Sequence, residues 1–94
     1  MIIRLVKLTI KNEHKEDFEK IFLKYQESIA AQPGCNRVIL QKDISGNGVY
    51  FTQSEWDSEN DLNNYRKSEL FGVVWPTVKP WFNNKPEAWS TIKL

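Results

Sequence analysis

The opening residues, MIIRLVKLTI, show no polar face. Ile2, Val6, Leu8 and Ile10 fall on one parity of a strand, and Ile3 and Leu5 on the other. This predicts a central strand covered on both sides, at least at its start. From Asn12 the period changes. In NEHKEDFEKIFLKYQESIAA, Phe18, Ile21, Phe22, Tyr25 and Ile29 form one stripe, while Glu16, Glu19, Lys20, Lys24 and Glu27 lie away from it, as in a helix with one covered side. QPGC ends it, because Pro33 cannot continue the hydrogen-bond ladder and Gly34 permits a left-handed turn. NRVILQKD and VYFTQSEW read as strands joined by ISGNG, whose Gly46, Asn47 and Gly48 suit a tight hairpin rather than a phosphate loop, since no helix follows.

Ser58 with Asp61 three residues on predicts a capped short helix from about Glu59 to Arg66, and Ser68 predicts the cap of a second. On a wheel of 100° per residue, Leu70, Phe71, Val74, Trp75, Val78, Trp81 and Phe82 share an arc of roughly 140° with Pro76 and Pro80 opposite, so the segment reads as a bent helix with one apolar stripe. NNKP breaks it, and EAWSTIKL is a last strand. The order strand, helix, strand, strand, helix pair, strand predicts an α+β ferredoxin-like fold over residues 1–94 as one domain, its four-stranded antiparallel sheet carrying the helices on one face. Apolar residues on both parities of the first and third predicted strands then require a second cover. A second copy packed sheet against sheet, an isologous homodimer, supplies it.

Composition narrows the function. Thirteen basic and twelve acidic side chains are interspersed, which leaves no electrostatic footprint for nucleic acid, and Arg4 and Lys7 break the N-terminal apolar run, which excludes a membrane span there. One cysteine, Cys35, cannot form an internal disulfide, in keeping with a reducing cytoplasm. With one histidine and one cysteine, the chain predicts no metal site and no nucleophilic triad. His14 reads as an exposed first-turn residue and Cys35 as a small buried hydrophobe. Four tryptophans in 94 residues must either fill a core or line a cavity.

The early strand, QPGC (Gln32 to Cys35), SEWDSENDL and YRKSELF, with its ring residue, serine three later and phenylalanine three after that, together resemble the antibiotic biosynthesis monooxygenase family of dimeric α+β-barrel proteins. The resemblance covers nearly the whole chain. It implies a homodimer joined through its sheet faces, and a small pocket between sheet and helices in each subunit. Some members oxidise polycyclic aromatics with dioxygen and no metal or organic cofactor, and one branch degrades haem. The haem branch places its iron-binding histidine where this chain has Trp75, which cannot ligate iron, so haem degradation is disfavoured. Many other members carry histidine where this chain has Tyr65, so any acid–base role passes to a phenol with an ordinary pKa near 10.

The resemblance implies a cofactor-independent monooxygenase acting on a small aromatic or quinol-type substrate. Tyr65 is the candidate catalytic residue, and Trp56, Phe71, Trp75, Trp81 and Arg37 are candidate substrate-binding residues. The alternative is a non-catalytic small-molecule-binding or stress-related dimer on the same fold, with these aromatics filling the core. A cavity of a few hundred cubic ångströms beside Tyr65 favours the first, and close packing of the stripe favours the second.

Overall fold

The computed structural model describes all 94 residues. β1 (Ile2–Thr9) leads through a single 3-10 turn at Asn12–His14 into α1 (Lys15–Ala30). β2 (Cys35–Lys42) and β3 (Val49–Trp56) form the hairpin, followed by α2 (Glu59–Arg66) and α3 (Glu69–Val78). A second 3-10 turn, Lys79–Trp81, and β4 (Glu87–Thr91) complete the chain. The four strands lie in the order β2-β3-β1-β4, all antiparallel. This is the ferredoxin-like arrangement that the pattern predicts. No helix is long and apolar enough to cross a membrane.

Register determines what each face of the sheet presents. On the face toward the helices, cross-strand pairing gives the rows Val38–Ser54–Arg4–Ser90 and Leu40–Thr52–Val6–Ala88. Along β3 the inward residues are therefore Tyr50, Thr52, Ser54 and Trp56, two large rings with two small polar side chains between them. Buried side chains gather at both ends of this floor. Leu8, Ile10, Phe18, Tyr50 and Val78 pack at one end, and Phe22, Ile29 and Val38 form a separate group against Tyr65 and Leu70.

The opposite face carries the row Ile39–Gln53–Leu5–Trp89 with Ile3 and Phe51 beside it, and no helix covers it. Trp89 is 47% exposed.

Capping places the helices. The Ser58 Oγ accepts from the Asp61 N–H at 3.2 Å and starts α2. Ser68 has two tasks: its Oγ accepts from the Phe71 N–H at 3.2 Å, starting α3, and donates to the Tyr65 carbonyl at 2.6 Å. One side chain thus satisfies a free donor of α3 and adds a second hydrogen bond to the Tyr65 carbonyl, which also accepts from the Ser68 N–H at 2.9 Å, fixing Tyr65 relative to Phe71. Pro76 is accommodated inside α3, while the chain tightens to 3-10 geometry at Lys79 rather than continuing as α-helix to Phe82.

Gly34 sets the distance between β2 and α2. It sits at φ 79°, its carbonyl accepts from the Asp57 N–H at 2.7 Å, and a β-carbon there would lie 2.3 Å from Asp61 Cγ. Gly46 has a similar φ of 70° with nothing within 4 Å of a β-carbon. Gly46→Ala is expected to cost about 1–2 kcal/mol for the left-handed backbone alone. Gly34→Ala should lose a further ~1–3 kcal/mol, because Asp61 and the start of α2 must move. Urea midpoints of the two variants measured side by side check the difference.

Candidate functional site

Small side chains on the floor leave a space that the helices do not fill. A cavity of about 390 Å³ lies between sheet and helices. Its floor is Arg4, Val6 and Leu8 of β1, Thr52 and Ser54 of β3, and Ala88 of β4. Its helical walls include Phe22 of α1, Tyr65 and Arg66 of α2, and Phe71 and Trp75 of α3. Arg66 and Ala88 are exposed, so the space reaches solvent beside them.

A continuous run of rings builds one wall. Trp56 stacks on Tyr65 (centroids 5.1 Å apart, planes 24°), Tyr65 meets Phe71 edge-on (5.4 Å, 84°), Phe71 stacks on Trp75 (5.5 Å, 10°), and Trp75 meets Phe82 edge-on (5.3 Å, 70°). These are the offset-stacked and T-shaped geometries that aromatic quadrupoles favour. Each ring therefore holds its neighbour in place.

The sequence-predicted residues divide between this wall and other places. Tyr65, Phe71 and Trp75 border the cavity. Trp56 does not: it is wholly buried at the end of β3 behind the Tyr65 ring, its indole N–H donating to the Ser54 Oγ at 2.9 Å. It supports the wall from behind. Trp81 does not border the cavity either. The 3-10 turn turns it off the α-helical stripe, and it stacks on His14 at 5.3 Å and 14°. Arg37 pairs with Glu55 across β2 and β3, on the opposite face of the sheet from Val38 and the cavity. The bulge between Cys35 and Arg37 turns Cys35 toward the core and leaves Arg37 outside.

Arg4 is the residue that the sequence reading missed, although its signal was present: it shares the inward parity of Ile2, Val6 and Leu8. In register it lies between Ser54 and Ser90, and its Nη1 donates to the Ser90 Oγ at 3.0 Å. Burial first, and the like charge of Arg66 second, pull its guanidinium below the ordinary range.

The polar chemistry of the cavity is one-sided. Burial, and secondarily the neighbouring Cys35, push the Tyr65 phenol up to about 12. Tyr65 is then a neutral hydrogen-bond donor at physiological pH and has no capacity as a base. Burial also raises the Cys35 thiol, which argues against a nucleophilic role. None of the lining residues is a histidine, cysteine or carboxylate, and the one phenol, Tyr65, is hard to ionise, so the cavity offers no ready ligand to iron or zinc.

The raised Tyr65 pKa has a stability consequence with a definite sign. Between pH 10 and pH 12 the unfolded chain releases this proton and the folded chain keeps it, so the contribution is complete below pH 10 and lost as pH rises toward 12. Tyr65→Phe should remove that loss. The variant is expected to show a shallower decline of urea midpoint than wild type across pH 10 to 12, with a parallel loss of one late-titrating phenol in the ultraviolet absorbance.

Comparison with known proteins agrees with this architecture. No curated protein matches the sequence. Among solved structures, an antibiotic biosynthesis monooxygenase superposes with TM-score 0.93 at 17% identity, covering 100% of this chain and 99% of that one. A conserved protein from Methanosarcina mazei Go1 gives 0.90 at 20% identity, covering 100% and 94%. A Caulobacter crescentus CB15 protein provisionally named an antibiotic biosynthesis monooxygenase gives 0.91 at 21%, covering 99% and 89%. At these identities the likeness establishes the fold. The family's sequence model, antibiotic biosynthesis monooxygenase, matches residues 1–74, from β1 into α3 and including the Tyr65–Phe71 wall, and the chain belongs to that family.

Proposed function

We propose that this protein is a cofactor-independent monooxygenase that oxidises a small aromatic or quinol-type substrate in the cavity between sheet and helices. The observation that carries this reading is the cavity itself, about 390 Å³ and walled by Tyr65, Phe71 and Trp75 where a merely structural stripe would be close-packed. In such a reaction the substrate supplies every electron. A phenol ring reacting with dioxygen gives a quinone and water: one oxygen atom becomes the new carbonyl, and the other leaves with the phenolic and ring hydrogens. The aromatic wall stacks on the ring and keeps water from the intermediates, while the Tyr65 hydroxyl donates to a substrate oxygen.

A second reading has its own support. No side chain bordering the cavity is a histidine or carboxylate able to take a proton at neutral pH, as suits a protein that binds a planar molecule without transforming it. We place either activity in a reducing cytoplasm, given the lone Cys35. We also assign a homodimer, each sheet covering the other through the Ile39–Gln53–Leu5–Trp89 row.

A thermal-shift screen against hydroxylated polycyclics, quinols and haem tests the binding step. Planar hydroxylated ligands should stabilise the protein and haem should not, and Tyr65→Phe should weaken binding about 3- to 10-fold, the value of one neutral hydrogen bond. With the best ligand, an oxygen electrode should record one dioxygen consumed per quinone formed; binding without uptake leaves the second reading standing. In sedimentation equilibrium at micromolar concentration the protein should show twice the 11.1 kDa chain mass, and Trp89→Asp should shift it toward monomer.

A further inference from the structure

We infer that Arg4 and Arg66 together form an oxyanion subsite, and that the ligand of this cavity is a planar apolar body carrying an ionised phenol, enol or carboxylate which arrives already ionised. This rests on the reading of the cavity as a ligand site and goes beyond it in naming the charge of the ligand.

Two cations border one cavity without a counter-charge. The ion pairs of the chain are His14–Asp17 and Lys42–Glu19, and neither arginine has a carboxylate within 4.0 Å. Acid is not scarce, since twelve acidic residues balance thirteen basic ones, yet none borders the cavity. Arg66 has a structural explanation, because a cation at the C-terminal end of α2 complements the helix dipole. Arg4 has a lesser one, a single hydrogen bond to the Ser90 hydroxyl that ties it to β4. It stands beside Val6 and Leu8 on the face of a central strand that borders the cavity, and its remaining donors are open to the cavity and solvent. Burial lowers the Arg4 pKa first and the like charge of Arg66 second, and the repulsion between the two is relieved when an anion sits between them.

The absence of a base points the same way. With Tyr65 neutral and no histidine or carboxylate in the lining, nothing in the cavity would take a proton from a substrate at neutral pH. Two guanidiniums instead favour the ionised form of whatever enters, lowering the pKa of a bound phenol or enol. The apolar aromatic wall takes the ring, Tyr65 lies next in sequence to Arg66, and the small floor at Thr52 and Ser54 provides the depth.

Three probes on one ring system test this with the full-length protein: 2-naphthoate, its neutral isostere 2-naphthamide, and 2-naphthol. Naphthoate should bind at least tenfold more tightly than naphthamide, and more weakly as salt rises. Arg4→Gln and Arg66→Gln should each cost naphthoate about 10- to 100-fold while leaving naphthamide within about twofold. Arg66 is exposed, so its variant keeps the test valid should Arg4→Gln disturb the sheet, which circular dichroism reports. The absorbance titration of bound 2-naphthol should move to lower pH in wild type and return toward the free value in Arg66→Gln. A shift assigns the site to ionised phenols; Arg-dependent naphthoate binding without that shift assigns it to carboxylates. Equal affinity for naphthoate and naphthamide, or equal losses of both on removing either arginine, overturns the oxyanion subsite and leaves the cavity reading intact. If no probe binds, the cavity reading fails together with it. Arg-dependent naphthoate binding without oxygen consumption by any phenol preserves the subsite and removes the oxygenase.

Discussion

The inward residues of β3 control the rest of the molecule. Tyr50 and Trp56 stand at the two ends of that strand and Thr52 and Ser54 between them, so the floor beneath the helices is high at both ends and low in the middle. Helices resting on the high ends cannot follow the floor downward. Phe18 of α1 packs on Tyr50 with ring centroids 4.9 Å apart, and Tyr65 of α2 stacks on Trp56 at 5.1 Å, so each helix is held at the height of a large ring. The depth that results is bounded by aromatic edges and faces. Trp56 can serve as such a support because its only polar atom is satisfied by Ser54, the small residue that helps create the space.

Electrostatics inside that space follow from the same geometry. A phenol backed by a buried tryptophan is hard to ionise, and the Arg4 guanidinium is half-buried with no carboxylate partner, so the cavity holds a neutral donor beside unpaired cations. Such a site stabilises negative charge without accepting protons. Any acid–base chemistry there depends on the acidity of the ligand and on water. On the proposed reading the protein contributes placement and charge, and the substrate contributes the electrons.

Much of this was legible in the sequence, and the parts that were not have separate physical causes. Helices, hairpin and both serine caps depend on local chemistry, and the order and type of the elements match those observed, with 3-10 turns replacing the first residues of the expected first helix and the last of the third. A helical wheel identifies which residues of α3 face the sheet but says nothing of the height of the sheet beneath, so Phe71 and Trp75 could not be assigned to core or cavity from their stripe alone. Trp81 lies off the wall because the wheel assumes 100° per residue and the chain tightens at Lys79. Arg37 and Ile39 share the outward side of β2, but both parities of NRVIL contain apolar residues, so alternation could not orient the strand. Arg4 was the readable omission. Its parity with Val6 and Leu8 placed a charge on a covered face, and a charge there needs either a partner or a purpose.

The two faces of the sheet are linked through β4. This edge strand pairs with β1 alone and is exposed on both sides, yet it supplies Ala88 to the cavity and Ser90 to Arg4 from one face and Trp89 from the other. Adjacent residues therefore serve the cavity and the uncovered apolar surface, and a shift of register by one would exchange them. Whatever covers Trp89 restrains the strand whose next residue orients Arg4. Apart from the β1 ladder, side-chain bonds from Arg4 to Ser90 and from the Thr91 hydroxyl to the Ile3 carbonyl hold that edge. In the proposed homodimer, covering the outer face stiffens the strand that brings Ala88 to the cavity and Ser90 to Arg4, without contributing any atom to the cavity itself.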